Sequence, residues 1–548
     1  MWWAGVTAGA AAALLFCYLR IAGTVPVLSD GAANALMARD MLHGNLLLHG
    51  WWVTDVSFLT TELPQYAVVI AAAGLRPEVV HICAAITYTL LVLLVAYVAR
   101  GRASGAEGVV RALVAAGIMV APEPGVASWV LLSSPDHVGT GVPLLLLLLL
   151  LDRARGSRWL PVAVFVLLAW ASVADPLVEV IGALPLAAVC LARVAVCLPR
   201  SLGALRTYSC EVSLAASAVL AVLAAMVAGR LIPALGGFQI NKGVTGLIPL
   251  REVPGNGPLA LRSVLALFGA DFQDAPSGAG QHPVNLAFAA VHLAGLALVV
   301  AAVAAAAWGL VRTLAWLARA SSRAGSGGRA DAFAAGDLVA DVLAVSIVVC
   351  VAAYCLVFRL TNIYAAHDMA PVLSLGAALG GRQFGGPLAR ACVLRSAGRR
   401  ARAVVPPALT ALLACYCAML GFAAANPQTP PANAALTVWL QRHGLRSGLA
   451  GYWEASTVTL DSEGAITMGS VTPLRSGRLA PRHWEQDMRI FDPAGHSASF
   501  VVLAPDSPMT ERDALRTFGP AAHVYRFEVY TILVWSKNLL PELGPAIN

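Results

Sequence analysis

Residues 4–45 read AGVTAGAAAALLFCYLRIAGTVPVLSDGAANALMARDMLHGN, and the change of character inside this stretch decides the fold. The run 4–26 is almost wholly apolar and long enough to cross a bilayer, which takes about 20 mostly apolar residues. It exceeds the apolar region of a signal peptide and has no basic segment before it, so it is read as an uncleaved first span. Ser29-Asp30 then opens a short amphipathic helix that closes at the turn Gly44-Asn45. A second interfacial stretch follows at Thr61-Glu62-Leu63-Pro64-Gln65-Tyr66. A span followed by a long polar loop that returns to the membrane surface belongs to a polytopic membrane protein.

Composition extends that reading to the whole chain. Of 548 residues, 58% are hydrophobic and 12% charged, where ordinary soluble domains carry roughly 25% charged residues. Mean hydropathy is +0.73. A soluble protein this large needs far more polar surface, so much of this surface faces lipid. The net charge of +7 is not a nucleic-acid footprint, because the arginines sit in short connections between apolar runs rather than on one basic face.

Spans are expected near 4–26, 79–99, 109–121, 138–151, 159–174, 177–198, 212–231, 284–310, 338–358, 369–386 and 403–425, about eleven in all. Alternate connections are rich in arginine: Arg100, Arg102, Arg111; Arg153, Arg155, Arg158; Arg193, Arg200, Arg206. The series continues with Arg312, Arg319, Arg323, Arg329 and ends with Arg382, Arg390, Arg395, Arg399, Arg400, Arg402. These connections hold 19 of the 37 Lys and Arg residues, against seven in the connections of opposite parity. The positive-inside rule makes the arginine-rich set cytoplasmic. The N-terminus is then cytoplasmic and the C-terminal domain extracytoplasmic, in a multi-pass plasma-membrane protein.

The chain divides into a transmembrane domain, 1–425, and an extracytoplasmic α/β domain, 426–548. Polar chemistry collects in the first outer loop, 27–77, in the large outer loop, 232–283, and in the tail. Within the tail a helix is expected over 434–443, a hairpin from 456–460 and 465–471, a strand over 498–503, a helix over 510–518, and a strand over 524–535. All ten cysteines lie in or beside apolar runs and none follows residue 426, so the tail folds on its own core. The pair Cys415/Cys417 sits mid-span as a small packing unit.

In order along the chain, Asp30, Ala38-Arg39-Asp40-Met41-Leu42, Gly44-Asn45 and Pro64-Gln65-Tyr66 resemble the GT-C superfamily of polyprenyl-phosphate-dependent glycosyltransferases. The branch implied is that of protein O-mannosyltransferases and lipid A aminoarabinose transferases, with an actinobacterial-type member. The resemblance covers the span layout and the outer tail as well. It implies an α-helical polytopic GT-C-like fold with a C-terminal extracytoplasmic α/β domain. It also implies an enzyme that moves a sugar from a polyprenyl-phosphate donor to an envelope glycan, lipid or protein on the outer face, with inversion. Members often carry Asp-Glu where this chain has Asp30-Gly31, and a basic residue with Pro-Pro at Glu62-Leu63-Pro64.

That chemistry needs a carboxylate to take the acceptor's proton as the sugar C1 gains oxocarbenium character. Asp30, emerging at the membrane surface, is the candidate base; Ser29-Asp30 also suits a helix N-cap, and the two roles can coexist. Asp40, beside Arg39, reads as solvated or paired. The lipid phosphate needs cationic donors. Arg359, Lys242 and Arg251 are the candidates, against snorkelling for Arg359. His367-Asp368, ahead of a span, and Asp136-His137, at the start of another, are substrate-binding candidates, with capping as the alternative for the latter pair. Asp55 and Glu62 stand for acceptor contact or plain surface, and Glu179 sits one turn inside a span. Trp51, Trp52, Tyr66, Trp453 and Trp484 suit sugar stacking or interface anchoring. No D-x-D stands in the second outer loop, so no metal is expected there, although a divalent ion is compatible with the superfamily. The rival classes are a transporter or flippase, which usually shows internal repeats not found here, and a non-catalytic envelope scaffold.

Overall fold

A computed structural model of the chain describes residues 2–197, 208–241, 246–272, 283–320, 337–357, 360–393 and 399–547. Each apolar run carries a helix. Among the described residues, six are long and apolar enough to cross a membrane: Gly5–Ala22, Glu78–Arg100, Ser209–Ala234, Leu286–Arg312, Leu338–Val357 and Val404–Ala424. A seventh arises if Val126–Leu132 and Asp136–Arg153, bent by 71° at their junction, are one broken span. The junction is Ser133-Ser134-Pro135, where proline ends the helical ladder. Helices Gly105–Met119, Leu160–Ala174, Leu184–Cys197 and Ala370–Val393 complete the bundle.

Small residues set its packing. Helix Ala370–Val393 carries Gly376, Gly380, Gly381 and Gly385, and a Cβ at Gly381 would lie 2.5 Å from the Arg111 carbonyl oxygen. Such close backbone approach is how helices pack when lipid supplies no hydrophobic drive. Two of the arginines expected in loops are instead buried in helices. Arg382 bonds Asp152 at 2.7 Å, also pairs with Asp337, and donates to the Val98 carbonyl at 2.9 Å. Arg193, 2% exposed, pairs with Asp341.

The C-terminal sheet-containing domain is built on six strands, in spatial order Leu479–Pro481, Thr467–Pro473, Ser447–Ala450, Phe500–Leu503, Tyr530–Val534 and His523–Phe527. The three central pairings of the first four strands include two parallel ones, Ser447–Ala450 with each neighbour. Both faces are covered. Phe500 and Val502 join a core with Leu436, Leu440, Ala455 and Val458. Val501 and Leu503 join the opposite core with Ala514, Phe518 and Trp535. Cover on both faces is why Phe500–Leu503 is continuously apolar.

The expected helices at 434–443 and 510–518 appear as Ala434–Arg442 and Glu511–Phe518, the second opened by a Thr510/Asp513 capping box. Two readings are corrected. Residues 456–460, expected as a strand, lie in helix Tyr452–Asp461. Tyr452, Ala455 and Val458 bury one helical face, and Thr457 and Thr459 bond the carbonyls four residues back, so tertiary packing overrides a β-branched run. Residues 524–535, expected as one strand, form the hairpin His523–Phe527 and Tyr530–Val534, turning at Glu528, whose φ is +49°.

A second, three-stranded sheet knits distant segments together. Trp51–Val53 pairs in parallel with Gln239–Ile240 and antiparallel with Gln486–Asp487. The first loop, the 232–283 loop and the C-terminal domain are thereby one hydrogen-bonded unit. Asp40 reinforces it, accepting from Trp51 Nε1 at 2.9 Å and pairing with Arg489 at 2.6 Å.

Candidate active site

Two polar centres lie side by side, joined by the consecutive residues Asp136 and His137. The first is built on helix Ser29–Leu42, which begins after extended Leu28 and buries Ala32, Ala33, Ala35 and Ala38. Its start has no side-chain cap; the Ser29 hydroxyl instead donates to the Tyr452 carbonyl at 2.7 Å. Gly31 lets the helix press inward, since a Cβ there would come 2.7 Å from Val80 Cγ1 and 3.1 Å from Ser134 Cβ. A glutamate after Asp30 has no room in this packing.

The half-buried Asp30 carboxylate accepts a hydrogen bond from the Tyr452 hydroxyl, and the same hydroxyl meets Glu485. Glu485 is buried and left-handed, with φ +47°, the kind of strained backbone that clusters at functional sites. Burial, reinforced by the Asp30 charge, holds the Glu485 carboxyl well above the usual carboxylate range. Burial also pushes the Tyr452 phenol up, aided by Asp30 and Glu485. One phenol has a single hydrogen. A proton on one of the two carboxyls makes both contacts hydrogen bonds, and Glu485 also bonds Asp30 directly. Asp136, also left-handed at φ +29°, accepts from Asn34 Nδ2 at 3.3 Å and from the Ser134 hydroxyl, and is close enough to Asp30 for their charges to interact.

The second centre gathers histidines. His137 stands at the bend of the broken helix pair, and His367 and Asp368 lie in the 3-10 helix Ile363–Met369, started by the Asn362 side chain. His137 Nδ1 donates to Asp175 Oδ2 at 2.8 Å, and Thr140 donates to the same oxygen. His137 Nε2 and His367 Nε2 point to one atom, Asp368 Oδ1, at 3.4 and 3.2 Å. The half-buried Asp55 interacts electrostatically with His137, Asp175 and Asp368, and burial raises its carboxyl above the usual value.

Glu62, only 3% exposed, lies between the centres, where it interacts with both Asp175 and Asp136. Burial pushes its carboxyl up to about 8, partly offset by the Thr61 hydroxyl. A Cβ at position 139 would lie 2.0 Å from Glu62 Oε1, so Gly139 is the notch that admits this side chain. Of the two readings of Glu62, acceptor contact or plain surface, its burial removes the surface one.

The structure thus brings Asp30 and Asp136 together in one centre, and Asp55, His137, His367 and Asp368 in the other. Arg251 is exposed in the turn before helix Val253–Leu267, apart from both. Lys242 and Arg359 lie outside the described residues. Sequence reading missed Tyr452 and Glu485, which arrive from the C-terminal domain across more than 400 positions. Asp175, in the turn ahead of Glu179, joins the second centre as the partner of His137 and Thr140. The faint signal was the aromatic run around them, Tyr452-Trp453 and His483-Trp484: Arg482 stacks over Tyr452 and Trp484, each at 5.3 Å. Beside Glu485 a cleft of about 320 Å³ opens between helix Ser29–Leu42 and the C-terminal domain, lined by Arg39, Asp40, His43, Trp51 and Arg489.

Among solved structures, ArnT from Cupriavidus metallidurans in the apo state is similar over 99% of this chain and 99% of its own, with TM-score 0.54 and 13% identity. ArnT from the same organism bound to undecaprenyl phosphate is similar over 99% of both chains, with TM-score 0.52 and 13% identity. The chain has an ArnT-like GT-C fold. No family model and no curated protein matches the sequence. Within this GT-C fold, helix Ser29–Leu42 lies under the C-terminal domain and carries Asp30 to the contact between them.

Proposed function

We propose that the protein is a membrane glycosyltransferase that takes a sugar from a polyprenyl-phosphate donor and passes it to an envelope glycan, lipid or protein. The observation that carries this reading is Asp30, a carboxylate held at the junction of helix Ser29–Leu42 and the C-terminal domain by Tyr452 and backed by Glu485. The GT-C fold supports it, and a protein of similar fold has been crystallised with undecaprenyl phosphate.

In the reaction, Asp30 accepts the acceptor's hydroxyl proton while that oxygen attacks the sugar C1 from the face opposite the phosphate. The C1–O bond to the phosphate breaks and its electron pair leaves on the phosphate oxygen, so the anomeric centre inverts. The Tyr452 hydroxyl, backed by Glu485, fixes the position of the Asp30 carboxylate for that transfer. The cleft beside Glu485 takes the acceptor, and Arg359 and Lys242 are the candidate cations for the departing phosphate. The tail faces outward with the N-terminus inside, in the plasma membrane.

The test is transfer from a radiolabelled sugar on polyprenyl phosphate by purified, reconstituted protein. Transfer or donor hydrolysis that disappears in Asp30→Asn supports the reading, whereas full activity in that variant removes Asp30 from the mechanism. Orientation is checked at the exposed Ala494. An Ala494→Cys variant labels with an impermeant maleimide on intact cells if the tail is outside, and fails to label if the topology is reversed.

A further inference from the structure

We propose that His137, His367 and Asp368 form a binding site for a divalent metal ion of the zinc class. Their ligand atoms, His137 Nε2, His367 Nε2 and a carboxylate oxygen of Asp368, lie within 4.8 Å of one another. The geometry fits more closely than that limit requires. Tetrahedral coordination with metal–ligand bonds of about 2.0–2.1 Å places neighbouring ligand atoms about 3.3 Å apart. The two Nε2 atoms stand 3.4 and 3.2 Å from Asp368 Oδ1.

Hydrogen-bond accounting supplies the second, independent support. His137 Nδ1 is bonded to the Asp175 carboxylate at 2.8 Å, and His367 Nδ1 to the Tyr364 carbonyl at 2.9 Å. Both partners only accept, so each Nδ1 carries the hydrogen. Each ring, held from behind at Nδ1, thereby presents its Nε2 to one carboxylate oxygen. Carboxylate or carbonyl support behind a ligating imidazole is also how proteins orient histidines toward a metal. Asp175 is itself fixed by Thr140 and by the Leu177 N–H at 2.8 Å. The two ring centroids lie 5.6 Å apart, with 9° between the planes.

Two imidazoles and one carboxylate select zinc or a neighbouring transition ion over magnesium or calcium, which favour all-oxygen shells. Three protein ligands leave the fourth position to an oxygen from water or from a substrate. The consecutive residues Asp136 and His137 set that position next to the acidic centre. Under the proposed transferase reading, the ion would face the donor phosphate. The metal site itself does not depend on that reading.

The experiment is direct metal binding by the full-length protein in detergent, stripped with chelator and dialysed against Zn²⁺, with bound metal counted by mass spectrometry. Expected is one Zn²⁺ per chain, at least tenfold weaker binding in His367→Gln and Asp368→Asn, and tighter binding of Zn²⁺ than of Mg²⁺. Both substituted side chains are partly exposed, 42% and 23%, so the variants should fold; a thermal melt of each checks this. Cobalt substitution adds a readout independent of turnover: visible d–d bands of tetrahedral intensity that vanish in His367→Gln. No stoichiometric Zn²⁺ in the wild type, or unchanged binding in both folded variants, overturns the site and leaves a hydrogen-bonded His–Asp–His trio. Loss of transfer in Asp30→Asn with Zn²⁺ binding intact separates the catalytic reading from this one.

Discussion

The two ends of the apolar stretch Asp136–Arg153 treat their acids in opposite ways. At Asp152 the carboxylate meets Arg382 at 2.7 Å, and Arg382 also satisfies Asp337. Two acids share a guanidinium, and Arg153 stands beside them at 3.7 Å. At Asp136 no guanidinium is present among the described contacts. That carboxylate accepts only neutral donors, Asn34 and Ser134, and faces Asp30, itself joined to a further acid through Tyr452. A buried charge without its partner is costly. The cluster tied by a guanidinium is what a structural brace needs, and the one whose counter-charges are the histidines His137 and His367 suits chemistry.

This contrast is open to direct challenge. Asp30→Asn should lower transfer on the order of 10³-fold, within the 10²–10⁴ range of general-base removal, while the melting temperature in detergent stays close to wild type. An equal loss of stability and activity would make Asp30 a brace as well. Arg382→Met should do the reverse. It strands Asp152 and Asp337 and should cost about 3–5 kcal/mol of stability, read by thermal melting, with activity per folded molecule little changed.

Tyr452→Phe probes the link between helix Ser29–Leu42 and the C-terminal domain. Loss of the hydroxyl leaves Asp30 and Glu485 short of a partner, costing about 1–3 kcal/mol, and transfer should fall about tenfold for each 1.4 kcal/mol lost in the transition state. Retention of the full rate would show that Asp30 needs no phenol. The pH-dependent effect belongs to Glu62. Its folded carboxyl titrates at about 8 against an ordinary 4.5, so the folded state holds the proton longer than the unfolded chain. Its stabilising contribution is complete below about pH 4.5 and is lost as pH rises toward about 8. The loss is at most about 1.4 kcal/mol per pH unit. Glu62→Gln, which mimics the protonated form, should flatten this part of the stability profile measured by melting from pH 5 to 9.

How far the site could be read from sequence differs from residue to residue. Asp30, Asp136, His137, His367 and Asp368 were legible because ionisable residues beside apolar runs are rare and stand out against them. Glu62 was legible as a candidate, but its burial was not, since that depends on the notch at Gly139. Arg193 and Arg382 counted as loop cations, yet they lie inside helices against Asp341 and Asp152. A local window shows charge and hydropathy, not the partner a charge will find. Glu485 and Tyr452 carried almost no local signal, because their role exists only once the C-terminal domain rests on helix Ser29–Leu42.

By itself the amino-acid sequence determined the membrane class, the positions of the apolar helices and most helices of the tail. Those follow from hydropathy and capping, which act over a few residues to a few turns. Only the tertiary structure decided that the first loop, the 232–283 loop and the tail share one small sheet. It alone set a C-terminal tyrosine and glutamate on Asp30, and turned two histidines from separate helices onto one aspartate oxygen. These are pairings across hundreds of residues. Their free energy comes from burial and hydrogen bonds that appear only when the whole chain has folded.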